Sequence, residues 1–134
     1  MNTRVLLHRK PMHLTYYNCV LCGLYVEEDL AHLLFDCPFS IACWSTLQLL
    51  LPNSIDPCTI VESFKLQLEL PFFMEIIVTM SWSIWMACND LIFIGIPNSI
   101  PRCKQIFKSE FALVMLIAKV AYHPRIDLWL EAFV

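Results

Sequence analysis

Beyond residue 38 the apolar positions recur every three to four residues, the spacing of one face of an α-helix. Ile41, Trp44, Leu47 and Leu51 predict a helix over residues 39–51, ended by Pro52-Asn53. Asp56-Pro57 opens a second helix over 58–70, with Ile60, Val61, Phe64, Leu66 and Leu68 apolar. Pro71 separates it from a long third helix over 72–94. Gly95 to Asn98 reads as a loop, and Ser99 as the cap of a fourth helix over 100–122, where Phe107, Phe111, Val114 and Ala118 share an apolar face. Pro124 opens a last helix carrying Ile126, Trp129, Leu130 and Phe133. Nearer the start, residues 3–10 suit a short helix with Thr3 as N-cap and Pro11 as its stop. Tyr16-Tyr17-Asn18 then reads as one arm of a small hairpin turning at Cys22-Gly23. Useful β alternation is lacking. The fold class expected is mainly α: a small knuckle module over residues 1–52, short hairpin plus helix, on a helical C-terminal bundle over 53–134.

The third helix carries the strongest apolar run. A membrane span needs ~20 residues with almost no charge. Here Glu75, Asn89 and Asp90 interrupt the run, at a cost in hydrocarbon. Placed at ~100° per residue, Glu75, Thr79, Ser83, Asn89 and Asp90 fall within about a third of the circumference. That single polar stripe predicts a helix half-buried in a soluble core, so no membrane is expected.

Composition sharpens this picture. At 134 residues the chain has the length of one domain. Its apolar fraction is 58% and its charged fraction only 16%, so much of the chain is buried or faces a partner. A net charge of −3 gives no global basic field for nucleic acid. The cations are uneven: Arg4, His8, Arg9, Lys10 and His13 form one group, and Arg102, Lys104 and Lys108 a second. Seven cysteines is an odd number, and residues 1–15 lack an apolar signal core, so a reducing nuclear or cytoplasmic setting is expected rather than secretion.

In that setting the cysteines point to metal. Cys19, Cys22, His32 and Cys37 follow the pattern C-x2-C-x9-H-x4-C, four donors of the kind and number that structural Zn²⁺ takes. Gly23, directly after the second cysteine, is expected to take positive φ so that backbone N–H groups face the sulfurs. Glu27, Glu28 and Asp29 suit the acidic first turn of a helix, and any of Glu28, Asp29 or Asp36 could orient the imidazole. Pro38 forces Cys37 out of helical geometry, which lets His32 and Cys37 converge if the helix ends near Asp36. His13 and Cys43 are rival ligands, while Cys58, Cys88 and Cys103 read as structural. With three thiolates and a neutral imidazole closing the shell, no position remains for a catalytic water.

Elsewhere the chemistry is thin. Trp85, Asn89 and Phe93 share one helical face beside Trp82, and without interleaved cations they read as core rather than as a base-stacking platform. No phosphate-binding glycine loop, paired aspartates for two-metal transfer or Ser/His/Asp arrangement stands out, so no enzyme activity is expected.

The run Cys19-Val-Leu-Cys22-Gly23, Glu27-Glu28-Asp29, His32-Leu-Leu-Phe-Asp-Cys37-Pro38-Phe39 and Cys43-Trp44 resembles the zinc-binding domain that follows the reverse transcriptase of plant LINE-type (non-LTR) retrotransposons. Residues 4–10 look like its introductory helix, and Trp82 to Phe93 like its Trp-rich helix, with Cys88 where a basic residue often stands. The polymerase's Tyr-x-Asp-Asp motif has no counterpart. The resemblance implies one structural zinc ion at Cys19, Cys22, His32 and Cys37, and a role in holding RNA or DNA. The function expected is a non-catalytic zinc module assisting nucleic-acid binding weakly through Arg4, Arg9 and Lys10. The alternative is a module docking on a reverse transcriptase or another protein through apolar surface, or a non-functional transposon remnant.

Overall fold

The computed structural model describes Met1, Thr3 and residues 18–54, 56–117 and 120–133. Apart from Thr3, the expected helix over 3–10 with Arg4, Arg9 and Lys10, the rival ligand His13, and the Tyr16-Tyr17 arm lie outside the described residues. The rest is mainly helical. A five-residue π-helical turn, His32–Asp36, leads through Cys37 into α1 (Pro38–Thr46). Then follow α2 (Pro57–Leu68), α3 (Phe73–Ile94), α4 (Ile100–Ile117), a 3₁₀ turn (Val120–Tyr122) and α5 (His123–Phe133). Among the described residues no strand forms. The knuckle segment closes only through an isolated antiparallel bridge between Asn18 and Glu27, with Cys19 N–H donating to Val26 C=O at 2.8 Å.

The helix starts obey the punctuation. Pro57 occupies the first turn of α2, and the Asp56 carboxylate accepts from Thr59 N–H at 3.0 Å. Ser99 caps α4 through Arg102 N–H at 3.2 Å. Gly95 ends α3 at φ 65°, a left-handed conformation that costs glycine little. The ends are shorter than periodicity implies. α1 stops at Thr46 rather than Leu51, because Gln48 turns the chain at φ 59°. The fourth helix ends at Ile117, and the 3₁₀ turn follows at Val120.

α3 and α4 pack side by side, and the π turn and α1 lie across them. α2 packs on α3, and α5 on α4. Ile76, Met80, Ile84, Ala87 and Cys88 form the buried stripe of α3. Phe107 and Phe111 of α4, Trp44 of α1 and Phe64 of α2 belong to the same buried core. Around α5 an aromatic cluster closes the core: Phe107 stacks on Phe111 at 5.3 Å, and Trp129 lies 5.4 Å from Phe111.

Two expectations for α3 are corrected. Thr79 and Ser83 do not join an outward polar stripe; both are buried. Their hydroxyls donate to the carbonyls four residues back, Glu75 at 2.6 Å and Thr79 at 2.7 Å, which makes them tolerable inside. Conversely Phe93 is not core but 77% exposed, because the buried stripe ends at Cys88. Trp82 and Trp85 pack on one another at 4.9 Å along the rim. By length and composition α3 could cross a bilayer, yet half of its most apolar stretch is buried against the other helices.

Candidate metal centre

Cys37 sits five residues beyond His32, awkward for an α-helix, which would turn the two about 140° apart at ~100° per residue. The chain solves this by widening. The Cys37 N–H reaches the His32 carbonyl at 2.7 Å, an i→i+5 bond. The π turn therefore returns to its starting face after five residues and presents both side chains together. Pro38 then imposes an extended Cys37, at φ −68° and ψ 130°.

That geometry leaves carbonyls to satisfy. Leu33 C=O would look five residues on to Pro38, which has no N–H. The Ser40 hydroxyl donates to it instead. The Trp44 indole N–H donates to Leu34 C=O at 2.7 Å. Ser40 and Trp44 are both fully buried, so α1 covers the open end of the π turn with side chains where a helix would use backbone. These two residues escape a search for ligand types; the signal for them is Pro38 and its missing donor.

On the other arm, the Asp29 carboxylate accepts from His32 N–H at 2.7 Å and caps the helical start at Leu30. Glu27 and Glu28 thus precede the helix instead of forming its first turn. The expected left-handed glycine is also corrected. Gly23 does not take positive φ; Tyr25, two residues later, does, at φ 56°. A left-handed tyrosine stores about 1 kcal/mol of strain.

The four predicted donors converge. The sulfurs of Cys19, Cys22 and Cys37 and a ring nitrogen of His32 all lie within 4.8 Å of one another. Cys19 Sγ is 3.9 Å from Cys37 Sγ, and Cys22 Sγ is 3.5 Å from His32 Nε2. A tetrahedral ion with metal–sulfur bonds of ~2.3 Å and metal–nitrogen bonds of ~2.05 Å has edges of about 3.8 Å (S···S) and about 3.6 Å (S···N). The residues present therefore fit a metal ion. His32 turns its Nδ1 toward Asp36 Oδ2 at 3.4 Å, so a proton held there leaves the Nε2 lone pair to the sulfurs. Of the three candidate orienting carboxylates only Asp36 reaches the ring. Glu28 is buried and accepts from the Cys88 thiol at 3.3 Å, tying the knuckle to α3. The Asn98 amide adds a second tie, donating to Leu21 C=O at 3.4 Å.

Electrostatics favour a thiolate in this cluster. The hydrogen bond from Cys19 brings the Cys37 thiol down to about 5, with the backbone N–H groups of Phe39 and Ser40 assisting against burial. The same hydrogen bond and burial push the Cys19 thiol up. Cys43 stands outside the group of four. Its hydrogen bond with Cys103, then burial, pushes its thiol up, as suits a core cysteine. Cys88 and Cys103 are buried and Cys58 is exposed, and all seven cysteines are free thiols. Comparison with family models, with curated proteins and with solved structures returns no match for this chain.

Proposed function

We propose that this chain is a structural zinc module without chemistry of its own, of the kind that follows the reverse transcriptase in plant LINE-type retrotransposons. The observation that carries the zinc reading is the convergence of four donors at tetrahedral separations. Three sulfurs and one imidazole suit zinc, and a closed shell of protein ligands is the structural type. The bound ion joins segments 18–22 and 32–37; elsewhere Glu28 ties the knuckle to Cys88 of α3, and Leu21 C=O ties it to Asn98 in the loop after α3. The resemblance supplies the retrotransposon reading, and Arg4, Arg9 and Lys10 are its candidate phosphate contacts.

One observation favours the protein-docking alternative. The second cation group is engaged within the fold: Arg102 pairs with Asp90 at 2.6 Å, and Lys104 lies over the Phe133 ring at 4.9 Å. Meanwhile Val78, Leu113, Leu116 and Ile117 are each more than half exposed. Metal content tests the zinc reading. Protein purified without added metal should carry one zinc per chain, Cys37→Ala less than half, and Cys43→Ala the full equivalent. Loss in Cys43→Ala with retention in Cys37→Ala would overturn the ligand assignment. RNA or DNA affinity that falls steeply with salt separates the two functional readings.

A further inference from the structure

A cleft of about 390 Å³ opens beside the metal cluster, between the knuckle and the start of α2, within the range of small-ligand clefts of ~300–1,000 Å³. Val26, Phe35 and Ile60 supply apolar lining, and Glu27, Asp29 and Asp36 supply carboxylates. No lysine or arginine lines it among the described residues. Its polarity is therefore one-signed. Asp36 is 81% exposed and spends only Oδ2 on His32, and Asp29 spends only Oδ1 on the His32 N–H, so each keeps an oxygen. Three thiolates around a divalent ion would add a further negative charge behind the wall formed by His32.

We propose that this cleft is a docking site for a partner-protein segment that pairs an apolar side chain with an adjacent arginine or lysine. The apolar lining takes the first, and the carboxylates take the second. A guanidinium fits best because its fork can bridge two carboxylate oxygens at once. A phosphate backbone is repelled by the same charges, so nucleic acid is not the occupant here. The inference goes beyond the zinc reading and rests on it only for the added charge. It assigns a partner chemistry to a face of the module distinct from the exposed apolar residues of α3 and α4.

The test uses the zinc-loaded full chain, labelled for amide NMR. The probes are a blocked pentapeptide alternating leucine and arginine, its counterpart with glutamate for arginine, and a short single-stranded oligonucleotide. The cationic peptide should shift the amides of Val26, Glu27, Phe35 and Ile60; the other two should not. Glu27→Lys should weaken that binding by roughly two- to fivefold, the scale of one exposed ion pair, with zinc content unchanged. Val26→Ser should weaken it as well, since it removes apolar lining without changing the charge. The proposal is overturned if the cationic peptide leaves these amides unmoved, if Glu27→Lys with full zinc binds equally well, or if the oligonucleotide moves the same amides.

Discussion

Ser40 and Trp44 touch no metal donor, yet the metal centre should depend on them. Ser40→Ala removes the hydroxyl that covers Leu33 C=O and leaves that carbonyl unpaired in a site where Ser40 itself is 0% exposed. An unsatisfied buried acceptor costs about 1–3 kcal/mol. Trp44→Phe strips the indole N–H from Leu34 C=O and also opens a void between Phe35 and Phe64, which sit 6.1 and 4.8 Å from the indole. Unpaired carbonyl and void together come to about 2–4 kcal/mol. For a chain of this size that is a fall in Tm of roughly 4 °C per kcal/mol. His32 and Cys37 bracket the widened turn, so relaxing it toward α geometry rotates one donor away from the other. Zinc affinity should fall by about 10–100-fold, the usual cost of losing a group that orients ligands. The assay is competition with a chromophoric chelator, with Ser45→Ala as control, since its hydroxyl donates to Ile41 C=O on the exposed side of α1. The reasoning is refuted if Ser40→Ala and Trp44→Phe lose stability but bind zinc as tightly as Ser45→Ala.

Other predictions concern core, cap and protons. Phe107→Ala empties the centre of the aromatic cluster, where Phe107 is 0% exposed, and should cost about 3–5 kcal/mol in chemical denaturation; a loss below ~1 kcal/mol would mean the cluster is not a packed core. Asp56 has its carboxyl held below the usual range by the Thr59 hydroxyl and N–H. Its capping contribution is therefore present above the unfolded carboxyl pKa and lost as pH falls through the depressed folded value. Asp56→Ala should lower Tm at pH 7 and make little difference in strong acid; an equal loss at both would contradict the capping role. Because the hydrogen bond from Cys19 favours the Cys37 thiolate, zinc binding at pH 7 should release fewer protons than three ordinary thiols would supply. Calorimetry in buffers of differing ionisation heat counts them, and three or more would rule this out.

How much of this is legible in the chain differs by kind of feature. Helix starts are written locally: Pro57 after Asp56 and Ser99 before the fourth helix each carry their own cap. The four donors are legible too, because ligand type and spacing are properties of the sequence alone. What periodicity misreads depends on tertiary partners. Thr79 and Ser83 look like a solvent stripe, but a hydroxyl can satisfy itself on its own helix and go inside. Phe93 looks like core, but it lies past Cys88, where the buried stripe of α3 ends, and is exposed. Gly23 looks like the left-handed residue, yet the turn places that conformation at Tyr25, because the bridge between Asn18 and Glu27 fixes where the loop must reverse. The π turn is half legible. A five-residue spacing and Pro38 announce an irregular helix end, but only the fold brings Ser40 and Trp44 back over its carbonyls.

The central claim is an ion held by three sulfurs and one nitrogen of a closed set, and X-ray absorption at the zinc edge tests it most directly. The account predicts three sulfurs at about 2.3 Å and one nitrogen at about 2.0–2.1 Å, with the nitrogen contribution lost in His32→Ala. A shell containing water oxygen, four sulfurs, or a nitrogen that survives His32→Ala would contradict it.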